Sequence, residues 1–196
     1  MKPVLFIDFD GTLCFDRFWR SLDSNNYQKI QKYLFYDNSK LANDWMRGLY
    51  SSEQINKLIS KKLNLPYDSL WELFVNDCKN MNVPQSTLVA INKLKSKWHT
   101  VLITDNMDCF TRFTVPAINL DKYFDLIVDS YINKKLKKDN NGQVFIDTAN
   151  KLRVKLKDCT LIDDSKNACL VFTNLGGRAL TVTSEKPVDY WLRKID

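Results

Sequence analysis

The sequence predicts an α/β fold: a Rossmann-like, mainly parallel sheet with helices on both faces, plus an all-helical cap inserted after the first strand. Three observations lead there. Short apolar runs recur and end in acidic or hydroxyl residues. Helix-type segments separate those runs in the second half of the chain, as in folds with a covered parallel sheet. One long early stretch has helical periodicity only and breaks the alternation.

The first run, Val4-Leu5-Phe6-Ile7, continues to Phe9 and is followed by Gly11, the pattern of a buried parallel strand and its carboxyl-end turn. Residues 16–98 then read as helices, at about 25–35, 40–47, 52–63, 68–79 and 85–97. Ser51-x-x-Gln54 is a capping-box pattern ahead of Ile55, Leu58 and Ile59, which share one helical face. Gly48 suits a C-terminal cap after Arg47, and Pro66 and Pro84 punctuate the later helices. The last helix, with Leu88, Ile91 and Leu94, reads as a crossover helix of the sheet. Further strands are expected at 100–104, at 126–128 before Asp129, at 160–162 before Asp163-Asp164, and at 179–182 after Gly176-Gly177. Helices at 109–115, 144–153 and 166–174 lie between them. The expected division is therefore 1–15 with 86–196 as the sheet domain and 16–85 as the helical cap.

Composition bounds the function. The chain of 196 residues suits one domain, or one domain carrying a modest insertion. Hydrophobic residues at 44% and charged residues at 27% are ordinary globular usage, which excludes wholesale disorder. Apolar runs of a handful of residues fall far short of the ~20 that span a bilayer, so no membrane association is expected. The N-terminus reaches Asp8 too soon for a signal peptide's apolar region. Cys14, Cys78, Cys109, Cys159 and Cys169 are scattered, with no Cys-x-x-Cys pair, and read as buried thiols of a cytoplasmic protein. The net charge of +6 resides mainly in lysine runs after residue 92, such as Lys134-Lys135-x-Lys137-Lys138. Such runs are usually solvated faces, and nucleic acid is not the expected partner.

Chemistry concentrates at strand ends, where open α/β sheets bind ligands. Asp8-Phe9-Asp10-Gly11-Thr12 places two carboxylates one residue apart, and a turn beginning at Asp10 can bring both to one cavity. Asp163-Asp164 adds two more at a second strand end. Clustered carboxylates repel one another in a partly dry crevice, and a hard divalent cation is the usual remedy. Oxygen-only ligands favour magnesium over zinc. The chain has no Gly-x-x-x-x-Gly-Lys-Ser/Thr loop, which excludes a P-loop ATPase. Asp8-x-Asp10-Gly11 is too short a match for an EF-hand.

The order Asp-x-Asp-Gly-Thr, strand-Thr, basic residues, strand-Asp-Asp resembles the haloacid-dehalogenase-like (HAD) hydrolase superfamily, specifically its phosphatase branch. The insertion matches the position of that family's C1 cap. The resemblance implies roles by position. Asp8 is similar to the nucleophile that forms an aspartyl-phosphate, and Asp10 to the general acid/base whose carbonyl is also a metal ligand. Thr104 matches the second motif, which holds transferring phosphoryl oxygens with Gly11, Asp105 and the backbone amide of Asn106. The third motif is a lysine that neutralises the phosphoryl group. The family often shows Lys-Pro-Asp before a helix, whereas this chain reads Lys137-Lys138-Asp139-Asn140-Asn141-Gly142. Lys138, directly before Asp139, is taken as that lysine, with Lys137 and Lys135 as competitors. The resemblance implies Mg²⁺ held by Asp8, Asp10 and Asp164, with Asp163 supporting it through a second shell.

Arg17, Trp19 and Arg20 enter the insertion just after the catalytic turn; they fit either contact with a leaving group or packing of a short helix. His99 lies outside the motifs, and Cys14 reads as a packed thiol. The expectation is a Mg²⁺-dependent phosphomonoester hydrolase acting on a small phosphorylated metabolite. A phosphomutase of the same superfamily, a polynucleotide-end phosphatase and a phosphate-binding module without turnover are the alternatives.

Overall fold

The computed structural model describes residues 2–195. Its sheet has five parallel strands in the order β3-β2-β1-β4-β5: β1 (Val4–Ile7), β2 (His99–Thr104), β3 (Leu126–Asp129), β4 (Thr160–Asp163) and β5 (Arg178–Thr181). Register places Phe6 beside Val101 on one side and Leu161 on the other. The chain moves outward from β1 to β3, crosses back to β4 and continues to β5. The strand order therefore reverses between β1 and β4, the topological switch point where such sheets take ligands.

Between β1 and β2 lie α1 (Ser24–Gln31), α2 (Ser39–Met46), α3 (Ser52–Leu63), α4 (Tyr67–Lys79) and α5 (Gln85–Leu94). A π-helical turn, Lys32–Asp37, extends α1. The expected capping box at α3 is present: Gln54 N–H donates to Ser51 Oγ and Ser51 N–H donates to Gln54 Oε1. The remaining helices are short α6 (Val115–Ala117), α7 (Leu120–Tyr123) and α8 (Ser130–Asn133), then α9 (Gln143–Lys151), α10 (Lys166–Asn174) and α11 (Val188–Ile195). The segment expected as a helix at 109–115 is largely a π-helical turn, Phe110–Thr114, continued by α6. α5 packs on α7 and α11 beside the sheet, as a crossover helix should.

Two apolar clusters sandwich the sheet. Phe6, Val101 and Leu161 face Phe145 of α9 and Phe172 of α10, whose three rings meet edge to face. The opposite faces, with Leu5, Ile7 and Leu102, belong to a larger cluster that runs without a break into Trp19, Trp45, Ile55 and Phe74 of the inserted helices. The insertion thus completes one side of the sheet's core. All five cysteines are free and buried. Among the described residues no helix is long and apolar enough to cross a membrane.

Polar contacts fix the insertion to the sheet. Asp108, just after β2, is buried; Trp45 Nε1 donates to it at 2.9 Å, Ser52 through Oγ at 2.6 Å and N–H at 3.1 Å, and Arg112 at 2.7 Å. At the chain's entry Asp77 accepts from Ser21 N–H and Oγ. A buried acceptor serving several donors is expensive to remove, because each donor is left dry and unpaired. Asp108→Ala should destabilise the protein by about 3 kcal/mol. Urea unfolding followed by circular dichroism and by tryptophan fluorescence should give one coincident transition. Separate transitions would show that the insertion folds on its own.

Candidate active site

The site forms where β1, β2 and β4 end. β1 hands its ladder on to Asp8, whose N–H donates to Ile162 O of β4 at 3.0 Å. The chain then turns tightly: Leu13 and Cys14 N–H both donate to Phe9 O. This turn lets Asp8 and Asp10, which an extended chain would send to opposite sides, line one cavity of about 300 Å³ together with Thr104, Asp105 and Lys137. Gly11 sits at φ +74, and a Cβ there would lie 2.3 Å from Asp164 Oδ2. The left-handed backbone is what favours glycine at this position. Thr12 Oγ1 accepts from Asp164 N–H at 3.1 Å and ties the two acidic strand ends together.

Lys137 is the buried cation of the site. Its Nζ lies 2.7 Å from Asp163 Oδ2 and 2.9 Å from Asp8 Oδ1, the latter an ion pair outside good hydrogen-bond angles. Its backbone N–H donates to Asp105 Oδ1 at 2.8 Å. The choice of Lys138 is therefore corrected: Lys138 is exposed at the cavity rim, and Lys135 pairs with Asp147. The register is set by the backbone. Leu136 N–H donates to Asp139 Oδ2, and the left-handed residues Asn140, Asn141 and Gly142 turn the chain into α9 without the proline. Burial opposes the ammonium charge, but Asp8, Asp163 and Asp105 outweigh it and hold the lysine above its ordinary pKa.

The acids carry the reverse strain. Burial first, then Asp163 and Asp10, push Asp8 well above the carboxylate range, with Lys137 partly offsetting them. Asp10 is raised to about 6, by burial first and by Asp164, against Arg17, Lys137 and the Asn106 hydrogen bond. Asp105 and Asp164 are raised as well, chiefly by burial. One oxygen from each of Asp8, Asp163 and Asp164 lies within 4.8 Å of the others, so a small cation fits among them. Asp163 already accepts from Lys137 and from Ser165 N–H, which leaves Asp8 and Asp164 as the freer donors. An excess of carboxylates over ammonium is the charge imbalance that a hard divalent ion corrects.

Thr104 Oγ1 is buried in this cavity and has no hydrogen-bond partner, which is uncommon for a buried hydroxyl. Two other assignments change. Gly11 N–H is engaged by Cys14 O at 2.8 Å, and Asn106 N–H by Ser130 Oγ at 2.9 Å, so neither amide is open to an anion. Asn106 instead donates its side-chain Nδ2 to Asp10 Oδ2 at 2.7 Å and orients that carboxylate. Of the three insertion residues, only Arg17 faces the site, 3.8 Å from Asp10 Oδ1. Trp19 is wholly buried and donates to Asn56. Arg20 donates to Asp77 O and Asn80 O and braces α4. Neither lies on the expected short helix: residues 18–21 form a turn with Trp19 at positive φ, which buries the indole and sends Arg20 to α4, away from the strand ends.

Several site-lining groups escaped the sequence reading. Asn43 and Met46 of α2 hang over the cavity, and Asn167 borders it. Ser130 Oγ donates toward Met46 O and Asn106 O, linking α2 to the β2 loop. Arg47 forms a two-pronged pair with Asp139 at 2.7 Å on each arm, two residues from Lys137. A signal was present in Asp139 itself, an acid inside a lysine run, but its partner lay 92 residues away.

The chain belongs to the haloacid dehalogenase-like hydrolases, whose family model matches residues 3–176. Among solved structures it is similar to an HAD family enzyme from Bacteroides thetaiotaomicron in complex with magnesium and inorganic phosphate. That match has a TM-score of 0.71 and 21% identity over 94% of this chain and 96% of that one. A predicted HAD-like family hydrolase from Porphyromonas gingivalis aligns with a TM-score of 0.69 and 16% identity, covering 92% of this chain and 91% of that one. A 2-haloacid dehalogenase from Pseudomonas syringae pv. Tomato DC3000 gives 0.65 and 12%, covering 93% and 86%. Among curated proteins, none matches the chain.

The two adjacent lysines separate cleanly by experiment. Lys137→Met should lower turnover at least about a hundredfold, as removal of one charge-stabilising donor does. Lys138→Met should change it less than about fivefold, the scale of a screened surface charge. The check is steady-state kinetics on folded variants; the opposite order would reject the geometry.

Proposed function

We propose that the protein is a Mg²⁺-dependent phosphomonoester hydrolase that works through an aspartyl-phosphate. The observation that carries this reading is the buried, unpartnered Thr104 hydroxyl, which shares one cavity with the Asp8 carboxylate and the Lys137 ammonium. A hydroxyl without a protein partner and an ammonium around a carboxylate suit a group rich in acceptor oxygens and negative charge, as a phosphoryl group is. The Bacteroides neighbour's magnesium and inorganic phosphate support the same reading.

In this scheme Asp8 attacks phosphorus and the ester oxygen leaves. Asp10, with its carboxyl near 6, gives that oxygen its proton as the P–O bond breaks. The ionised Asp10 then takes a proton from water, which attacks the aspartyl-phosphate and returns Asp8 as carboxylate and inorganic phosphate as product. Asn106 holds Asp10 in place, while Thr104 and Lys137 hold the phosphoryl oxygens. Asp8, the Asp10 carbonyl and Asp164, supported by Asp163, are the groups that would hold Mg²⁺, which when bound neutralises charge on the nucleophile and the phosphoryl group. Asp10 also bears on the dehalogenase neighbours: a proton donor at this position serves a leaving alcohol, whereas a halide leaves without one.

Asp8→Asn should reduce phosphate release from p-nitrophenyl phosphate more than roughly a thousandfold with the fold retained. EDTA should abolish wild-type release, Mg²⁺ should restore it, and Ca²⁺ should not, because its longer, looser coordination misplaces the carboxylate. Phosphate release that survives both the substitution and EDTA would overturn the reading.

A further inference from the structure

A second cavity, also about 300 Å³, adjoins the first; Asp10, Met46 and Asp105 line both. The residue assigned to protonate the leaving oxygen therefore stands at the boundary between them. A phosphoryl group seated on Asp8 and Thr104 would direct its ester oxygen past Asp10 into this second space. The remaining wall is of unlike chemistry. Phe18, Phe35, Met46 and Met107 supply apolar surface, Gln31 one amide, Arg17 one guanidinium and Asp164 a third carboxylate beside Asp10 and Asp105. Phe18 and Met107 are fixed in the core at 9% and 4% exposure. Phe35 stands on the π-helical turn that follows α1, a backbone form seldom used and frequent at functional sites.

Resting on the phosphatase reading, we infer that the physiological substrate is the phosphate monoester of a small, flat aromatic or heteroaromatic alcohol. A polyhydroxylated sugar would set hydroxyls against two aromatic rings and two thioethers; Gln31 and Arg17 are the wall's side-chain donors, and its acceptors, Asp10, Asp105 and Asp164, are already engaged by Asn106, by Lys137 N–H and by the cation of the proposed reaction. A flat ring fills the same space with ring–ring and sulfur–ring contacts. Arg17 and Gln31 then meet a single acceptor on its edge. The volume is at the lower end for ligand sites, about 300–1,000 Å³, which admits one ring system and excludes a dinucleotide.

The test compares 2-naphthylmethyl phosphate with glucose 6-phosphate and glycerol phosphate. All three release primary alkoxides, so intrinsic reactivity is matched. Acetyl phosphate, whose leaving group is too small to reach Phe35, is the control. kcat/KM for the naphthylmethyl ester should exceed the other two by at least about tenfold. Phe35→Ala should remove most of that advantage, about tenfold and through KM, while acetyl phosphate turnover changes less than about twofold. Phe35→Leu, which keeps an apolar side chain, is the second variant should the first unfold, and should lose several-fold in the same direction. Glucose 6-phosphate outrunning the naphthylmethyl ester, or equal losses on every ester including acetyl phosphate, would overturn the inference and leave the phosphatase reading intact. Wild-type protein inert in Mg²⁺ toward all three esters, p-nitrophenyl phosphate and acetyl phosphate would defeat the phosphatase reading, and the inference with it.

Discussion

One buried ammonium holds this site together. Lys137 touches Asp8 from β1 and Asp163 from β4, while its own N–H is bound by Asp105 from the β2 loop. Three strand ends are thus tied to a loop that follows β3. Without that charge the crowded carboxylates would repel one another and hold protons more tightly still. Burial of a cation is tolerated only where its partners exceed its desolvation cost, and here they do. The acids remain in excess, so the same arrangement that keeps the lysine charged leaves the site wanting a second positive charge.

Among the polar contacts that fasten the inserted helices to this arrangement, two carry charge from the site's own loops. Asp108 collects Trp45 and Ser52 on the sheet side of the insertion, and Arg47 clasps Asp139 in the lysine loop. The second contact makes α2 and the lysine loop one mechanical unit, since Asp139 also accepts Leu136 N–H. Planar, two-pronged Arg–carboxylate pairs set geometry as well as charge, so the reach of Lys137 depends on where α2 sits.

What the sequence made legible and what it hid have physical causes. Parallel strands buried on both faces are continuous apolar runs, and the acids ending them are hard to mistake. Hence β1, β2 and β4, and with them Asp8, Asp10, Thr104 and Asp163-Asp164, could be read directly. The lysine could not. Four lysines within five residues differ in fate only through a carboxylate turn at Asp139 and three left-handed residues after it, and no periodicity encodes those. The helices of the insertion were likewise readable by their apolar faces, but orientation was not. Trp19 and Arg20 sit close to the Asp8–Thr12 turn in sequence and point away from it in space, while Met46, 36 positions after Asp10, borders both cavities that Asp10 lines. Hydroxyl and amide contacts such as Ser130 to Asn106 are set by tertiary packing alone.

The unbroken apolar cluster beneath the insertion governs how a molecule gets in and out. A rigid lid swinging on a hinge would have to peel Trp19, Trp45 and Phe74 from the sheet side and expose that surface to water. The segment formed by α1 and the Lys32–Asp37 turn packs mainly on α2 and α3 and carries Gln31 and Phe35 on the cavity wall. Even this segment is not a free flap: its Ile30 and Leu34 are fully buried in the same cluster, so lifting it would draw them into water as well.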